Sequence, residues 1–406
     1  MHKNDCAGDP DSTEVLEEGS RSILLSLASQ LRKGMDLHRV TLPTFVLEPR
    51  SMLERITDFF SHSDYIIEAS KQDDQVQRFI SVVRYYLSGW HIKPKGVKKP
   101  YNPVLGEFYR CQYKYADNTE GYYVAEQVSH HPPISAYYYA SPENGILIAG
   151  DIRPKSKFLG NSAATLMQGS SHIIFTNRHN ERYDIVMPNM YARGILFGTM
   201  TLELGDASSI RCISSDLICE LEFKTKGFFS GQWNSLVGKI KRESTGEVLF
   251  ELSGQWSDEI YIKMNKASSK NTLFDVKESK IFPKTVAPES EQEPNESQRQ
   301  WADLTAAIRK HDMDAATEAK TAVEDRQRHN AKIREDEGVE WRPRFFDAKN
   351  DDFVLVGTDR LDFSKPEDTK KQLHDFIFAK HEDAFTHRKA DAVANNQATS
   401  TTTQAQ

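Results

Sequence analysis

The side chains best suited to chemistry in this chain stand together in Glu126-Gln127-Val128-Ser129-His130-His131-Pro132-Pro133. Neighbours along a strand point to opposite faces, but two prolines end the strand here, so both rings can turn toward one pocket at its end. Adjacent imidazoles fit three chemistries. They can ligate a metal, although no third ligand stands at useful spacing. They can act as acid and base, although no Ser, Cys or Asp nucleophile context surrounds them. They can also donate ring N–H groups to an anion such as a phosphate. A histidine pair that only packs within the fold stays open beside these.

The rest of the chain must position that pair. Its 406 residues allow two or three domains, or one large all-β body. Residues 1–19 are polar and acidic and read as a disordered leader. Residues 21–33 read as a short amphipathic helix stopped by Gly34. Ile23, Leu27 and Leu31 fall at i, i+4, i+8, with Leu24 and Ala28 beside them. The segment Leu42-Pro43-Thr44-Phe45-Val46-Leu47-Glu48-Pro49-Arg50 must be extended, because two prolines interrupt it. Residues 51–88 return to helix. From about residue 105 aromatic and β-branched runs follow one another, at 107–115, 121–128, 134–139, 145–152, 172–176, 183–187, 195–204, 217–223, 235–241 and 247–255. About ten short strands with turn signals between them mean a large antiparallel sheet or barrel, and no βαβ alternation suggests a Rossmann fold. Residues 297–336 read as one long helix, and 389–406 as a disordered tail.

Composition excludes several function classes. No apolar run approaches the ~20 residues of a membrane-spanning helix, and no basic region precedes Ile23–Ala28 as in a secretory signal. Cys6, Cys111, Cys212 and Cys219 show no CxxC spacing, so a reduced cytosolic chain without zinc is expected. The formal net charge is -7, but residues 1–20 contribute -5 and residues 287–299 contribute -3, which leaves about +1 for the body. No basic block of the kind that binds nucleic acid is present.

The string EQVSHHPP resembles the fingerprint of the oxysterol-binding-protein-related lipid-transfer family. Lys98-Lys99-Pro100-Tyr101-Asn102-Pro103-Val104-Leu105-Gly106-Glu107 is similar to the family's KKPxNPxLGE block. Ala319-Lys320, Glu324 and Arg328 resemble its C-terminal K/E/R set, and Trp341-Arg342-Pro343 its aromatic-proline element. The resemblance covers about residues 20–388. It implies an α+β, mainly β fold: an incomplete antiparallel β-barrel around a lipid tunnel, with an N-terminal lid over 21–41. An extended and helical segment over 42–104, a barrel over 105–262 and a helical C-terminal region over 263–388 complete it. It also implies a short, single-domain member, with no pleckstrin-homology or ankyrin region before the domain.

By the same resemblance a phosphatidylinositol 4-phosphate site falls on Lys99, Asn102, His130, His131, Lys320, Glu324 and Arg328. The last three stand four residues apart. Each step turns ~40° round a helix, so they share one face. Without context such spacing describes a solvated salt-bridge ladder; with it, Lys and Arg grip phosphates and Glu324 orients them or accepts a sugar hydroxyl. Leu42 through Glu54 resembles the motif of the phosphatidylserine-carrying branch. That places Leu42 and Thr44 at the tunnel mouth, shares Lys99 and Asn102 between ligands, and adds Ser156 as a further headgroup candidate. The implied function is exchange of phosphatidylserine for phosphatidylinositol 4-phosphate by a monomer without a cofactor or catalysis. It would touch anionic membranes transiently, in the cytoplasm, where endoplasmic reticulum and plasma membrane meet. The alternatives are a sterol-for-phosphoinositide exchanger, a phosphoinositide sensor or scaffold, and a metal-dependent hydrolase built on His130 and His131. Arg344-Phe345-Phe346-Asp347-Ala348 resembles the core of a membrane-tethering motif, but arginines stand where that motif wants acids.

Overall fold

The computed structural model describes residues 13–14, 18–37, 42–197, 199–227 and 231–380. Sixteen strands form one sheet. Its main path is an antiparallel meander from Phe108–Lys114, Glu120–His130, Pro133–Ser141 and Ile146–Phe158 to Val248–Gln255, Glu259–Met264 and Asn271–Asp275. The inward side chains of these strands share one core with the helices Ser63–Lys71 and Gln75–Ser88, through residues such as Phe60, Phe79, Tyr123, Phe223 and Trp256. A sheet whose inner face closes round a single core is a barrel. It is incomplete: the two ends of the path, Asn271–Asp275 and Lys284–Thr285, pair with other strands and not with each other.

Glu120–His130 and Pro133–Ser141 are buried on both faces. Outside them lie Phe345, Phe346, Leu355, Leu373 and Ile377 of the C-terminal region. The Phe345–Phe346 pair is therefore core and unavailable as a tether. A third cluster joins Leu47, Tyr101 and Val104 to Trp301, Leu304, Ala316 and Val323 of the C-terminal helices.

Several expectations need correction. The single helix over 297–336 is three helices, Ser297–Gln300, Ala302–Arg309 and Met313–Asp336. Every residue across the break is helix-compatible, but His311 adopts a left-handed φ of 57° and the Asp312 carboxylate caps the next helix, accepting from Ala315 N at 3.0 Å. The strand expected over 195–204 begins only at Met200, as Met200–Cys212, and a strand not expected, Asn189–Arg193, precedes it. Gly194 turns the chain between them at φ +76°, where a Cβ would stand 2.2 Å from Thr199 O. Ser162–Gln168 is a strand without a strand-like composition, held by partners on both edges. The first helix spans Glu18–Ser29 rather than 21–33, because the chain after it is drawn into pairing with the barrel: Gly34 N donates to Phe158 O at 2.6 Å and Phe158 N to Met35 O at 3.0 Å. Of its apolar residues Leu24 and Ala28 are buried, while Ile23 is exposed. Within the leader, Thr13–Glu14 pairs with Met200–Thr201, so order begins before residue 19. Residues 1–12 and the expected tail at 389–406 lie outside the described residues.

Candidate functional site

Lys99 lies where three parts of the fold meet. Pro100 and Pro103 keep its segment extended, and Lys99–Tyr101 runs parallel to Leu47–Ser51, with Lys99 opposite Leu47 and Tyr101 opposite Ser51. Successive side chains leave an extended chain in opposite directions. Lys98 accordingly donates to Phe45 O at 2.8 Å, while half-buried Lys99 approaches Lys320. Loss of water, and then the like charge of Lys320, push the Lys99 ammonium down to about 8. A nearby anion would reverse both effects.

Buried Glu107 anchors this segment. Its carboxylate accepts from the Ser51 hydroxyl, from Ser297 Oγ at 2.7 Å, from Trp301 Nε1 at 2.8 Å and from Val104 N at 3.1 Å. Burial raises its pKa, and these four donors oppose the rise. Gly106, at φ +77°, lets the Trp341 indole lie where a Cβ would come within 2.4 Å of the ring. Arg334 covers the same ring at 5.3 Å.

The helix Met313–Asp336 supplies the other cations. It buries Ala316 and Val323 against Leu47 and Val104, and Gln327 Oε1 accepts from Leu105 N at 3.1 Å. That docking sets Lys320 beside the buried row, with its side chain 17% exposed; Glu324 follows at 36% and Arg328 at 63%. The three share a face as expected, but it passes from interior to solvent. Lys320 Nζ lies 2.9 Å from Glu324, and Arg328 pairs with Asp325. An anion reaching Lys320 must therefore compete with Glu324.

His130 ends the strand Glu120–His130 and pairs with Pro133, leaving His131–Pro132 as the turn. The peptide bond between those two is cis. The rings meet edge to face with centroids 4.6 Å apart, His130 half-buried and His131 exposed. The strand is tied to the Lys99 segment by Gly106 N donating to Gln127 O at 3.0 Å and Gln127 N to Glu107 O at 2.8 Å. Glu126, one residue before, accepts from Arg344 N at 2.7 Å and Phe345 N at 2.8 Å. In the sequence Glu107 and Glu126 are no more than members of the two motifs. A lone carboxylate in an apolar run was the signal that they organise backbone.

The remaining candidates are Leu42, Thr44, Asn102 and Ser156. Leu42 packs at the edge of a small cluster of Leu24, Val46, Val97 and Met200 under the first helix. Buried Thr44 points its hydroxyl at Met313 Sδ, 3.7 Å away. Asn102 is exposed just beyond the strand that carries Lys99. Ser156 is buried with its hydroxyl 3.4 Å from Thr165 Oγ1; among the described residues that hydroxyl does not bond to Leu42, Thr44, Lys99 or Asn102. The fold thus joins Lys99 to Lys320 and Glu324, and His130 to His131, but sets Ser156 apart.

Inside the barrel lies a narrow cavity lined by Met52, Ile56, Phe59, Trp90, Met167, Met190, Leu202 and Trp256, with Arg55, Asp58, Lys93 and Glu203 among them. A second, smaller one shares Ile56 and Phe59 with it and continues to Tyr85, Ile148, Ile185 and Met187. Four methionines give this lining an adaptable shape. Leu202 also packs in the cluster beneath the first helix, so that helix covers one border of the cavity. The segment from Leu42 to Ile56 therefore runs from beneath the helix to the cavity wall. Among the described residues no three His, Cys, Asp or Glu side chains are grouped to hold a metal, and no helix is long and apolar enough to cross a membrane.

Known proteins share this fold. The Osh1 ORD domain in complex with cholesterol superposes with a TM-score of 0.70 at 22% identity, over 90% of this chain and 93% of that one. The Osh3 ORD of Saccharomyces cerevisiae in complex with PI(4)P gives 0.66 at 18% identity, over 94% and 99%. In sequence, oxysterol-binding protein homolog C23B6.01c of Schizosaccharomyces pombe is 48% identical over 83% of this chain and 72% of its own length. Oxysterol-binding protein homolog 7 of Saccharomyces cerevisiae is 45% identical over 80% and 76%. Human oxysterol-binding protein-related protein 5 is 43% identical over 84% of this chain, which spans 39% of that longer protein. The family model for oxysterol-binding proteins matches residues 26–380, from the first helix to the last, and with it the barrel that carries the histidine hairpin and the Lys99 segment, so this chain belongs to that family: the oxysterol-binding proteins.

Proposed function

We propose that this chain moves lipids between membranes by exchanging phosphatidylserine for phosphatidylinositol 4-phosphate, one molecule at a time. The supporting observation is the pair Lys99 and Lys320, two ammonium groups held close enough to lower the pKa of one, against the segment Leu47–Ser51, which leads on to Met52 and Ile56 of an apolar cavity wall. Two close cations favour an anionic headgroup, and an apolar cavity favours hydrocarbon. Each buried CH₂ contributes ~0.8 kcal/mol, so two acyl chains need tens of kcal/mol of shelter to cross water.

In this reading His130, His131, Lys320 and Arg328 hold the phosphoinositide phosphates and Glu324 meets the inositol. Leu42 and Thr44 face the serine headgroup, and the motif from Leu42 to Glu54 runs from the mouth into the cavity, as the phosphatidylserine-carrying branch would require. Ser156 belongs to the phosphatidylserine set only through movement of the strand that carries it. Lys99 and Asn102 serve both cargoes, so one excludes the other. No bond is made or broken, and no cofactor takes part. The served membranes are anionic, at contacts between endoplasmic reticulum and plasma membrane.

Native mass spectrometry of the protein purified from a eukaryotic host tests the cargo. Phosphatidylserine should co-purify in a one-to-one complex, and added phosphatidylinositol 4-phosphate should displace it. Ergosterol or cholesterol in place of phosphatidylserine would overturn the cargo assignment, and simultaneous binding of both lipids would overturn exclusion.

A further inference from the structure

Two turns beside the cavity mouth are clasped into one tip. Asn161, in the tight turn where Leu159 N donates to Ser162 O at 2.8 Å, uses both its backbone and its side chain to hold the turn after Arg193. Its carbonyl accepts from Gly194 N at 3.0 Å and Ile195 N at 3.2 Å. Its Oδ1 accepts from Leu196 N at 2.7 Å and Phe197 N at 2.8 Å, and its Nδ2 donates to Phe197 O at 3.2 Å. The outcome of this ordering is an aromatic ring in water: Phe197 is 74% exposed, with Leu159 exposed beside Asn161. Ordering a backbone around an exposed phenylalanine has no benefit to a folded core.

The surroundings identify what the ring meets. The chain from Gly34 to Asp36 pairs with Lys157 and Phe158 beside the tip, bringing Arg32, Lys33 and Met35 to it. Arg32, Lys33, Lys155 and Lys157 are exposed there, against Asp36. Arg193, just before the turn, is neutralised by Glu203 at 2.8 Å. The cluster beneath the first helix includes Met200 and Ala192, which flank the turn on either side. The tip thus adjoins the helix that covers the cavity. Ile213 offers a contrast. It is 65% exposed at the far end of the strand Met200–Cys212, about 40 Å away at ~3.3 Å per residue. There the nearby Arg211 is paired with Glu243 at 2.8 Å, so exposed apolar surface alone does not carry the assignment.

We propose that Leu159 and Phe197, clasped by Asn161, form a wedge that enters the surface of an anionic bilayer next to the cavity mouth. An aromatic ring suits the boundary between headgroups and acyl chains, and surrounding cations are drawn to anionic headgroups. The inference rests on the reading of this chain as a membrane lipid carrier, and names the surface that docks.

The full-length chain carrying Cys6→Ser and Phe197→Cys, labelled with an environment-sensitive fluorophore, tests it; Cys111, Cys212 and Cys219 are buried. Vesicles of phosphatidylcholine and phosphatidylglycerol contain neither proposed cargo. They should raise and blue-shift the emission about threefold or more, phosphatidylcholine alone should do much less, and the same label at Ile213→Cys should not respond. Phe197→Asp should bind the anionic vesicles about tenfold more weakly, and Phe197→Trp about as well as the wild type. A label at 197 that stays dark, with Phe197→Asp binding normally, overturns the wedge. So does emission that rises with protein concentration before vesicles are added, which would mark a surface for a second copy. If the label responds while the wild type moves no lipid, the wedge stands and the carrier reading falls.

Discussion

One flank of the candidate site, the segment Lys98–Glu107, is held by buried polar groups: Glu107 accepts four hydrogen bonds and the neighbouring Glu126 fixes two backbone amides. The other, the helix Glu18–Ser29, is held by a few aliphatic side chains around Leu24. Buried hydrogen bonds are directional and leave costly unpaired groups when broken, whereas a small apolar cluster can separate and reform. The first construction keeps two cations at a fixed spacing. The second suits a cover that opens. A lipid carrier needs both, because the headgroup must be recognised in place while the acyl chains enter past something that moves.

Breaking the rigid flank should have the largest effect. Glu107→Ala strands four buried donors at ~1–3 kcal/mol each, so a loss of at least ~4 kcal/mol is expected in urea denaturation, with phosphoinositide binding lost at the same time. A variant as stable as the wild type would show that the network is not what holds the Lys99 segment.

The mobile flank is probed by Leu42→Asp. A carboxylate would enter the apolar cluster beside the proposed place of the serine headgroup, and burying it unpaired costs several kcal/mol or prevents closure. A loss of ~3 kcal/mol is more than a hundredfold in affinity. Phosphatidylserine transfer should fall by about that factor, and phosphoinositide extraction much less. Equal loss of both cargoes would mean that the two flanks do not divide the headgroups.

His130→Ala with His131→Ala should remove phosphoinositide extraction, by tens of fold or more, and leave phosphatidylserine binding largely intact. The hairpin belongs to the rigid flank, but its rings meet each other at the surface, so its stability should change little. Loss of both ligands in a folded double variant would contradict a role confined to one cargo.

The smallest expected effect is on pH. Free Lys99 titrates at about 8 because of burial and Lys320. A bound phosphate restores the ammonium and raises that pKa, so binding takes up a proton once the free lysine has lost its own. The contribution of Lys99 to affinity for phosphatidylinositol 4-phosphate should therefore be constant below pH 7 and fall about tenfold between pH 7 and 9. In Lys99→Ala that fall should vanish along with most affinity for both cargoes.

Much of this was legible in the chain. Paired prolines after His130 and His131 announced a strand end, and the aromatic runs announced the barrel. What escaped depended on partners distant in sequence. Ser162–Gln168 lacks strand composition and is a strand because Phe158 and Arg193 flank it. The break at His311 is invisible to helix propensity, since it is set by a cap on the next helix and by Met313 reaching Thr44. The even spacing of Lys320, Glu324 and Arg328 predicted a shared face, but not its gradient from interior to solvent. That gradient follows from which turn of the helix meets Val104. The arginines beside Phe345 and Phe346 argued against a tether, but not that the pair would cover the outer face of the barrel.

The claim that two cargoes compete for one rim is tested most directly by coupled transfer between vesicles. Donor vesicles carry phosphatidylserine, acceptor vesicles carry or lack phosphatidylinositol 4-phosphate, and fluorescent headgroup sensors follow both lipids. Shared use of Lys99 and Asn102 predicts that phosphatidylserine moves several-fold faster when the acceptor holds the phosphoinositide, with matching counterflow, and that Lys99→Ala abolishes the acceleration. Phosphatidylserine transfer at the same rate with and without the phosphoinositide, or phosphoinositide binding with no transfer of either lipid, would contradict the account.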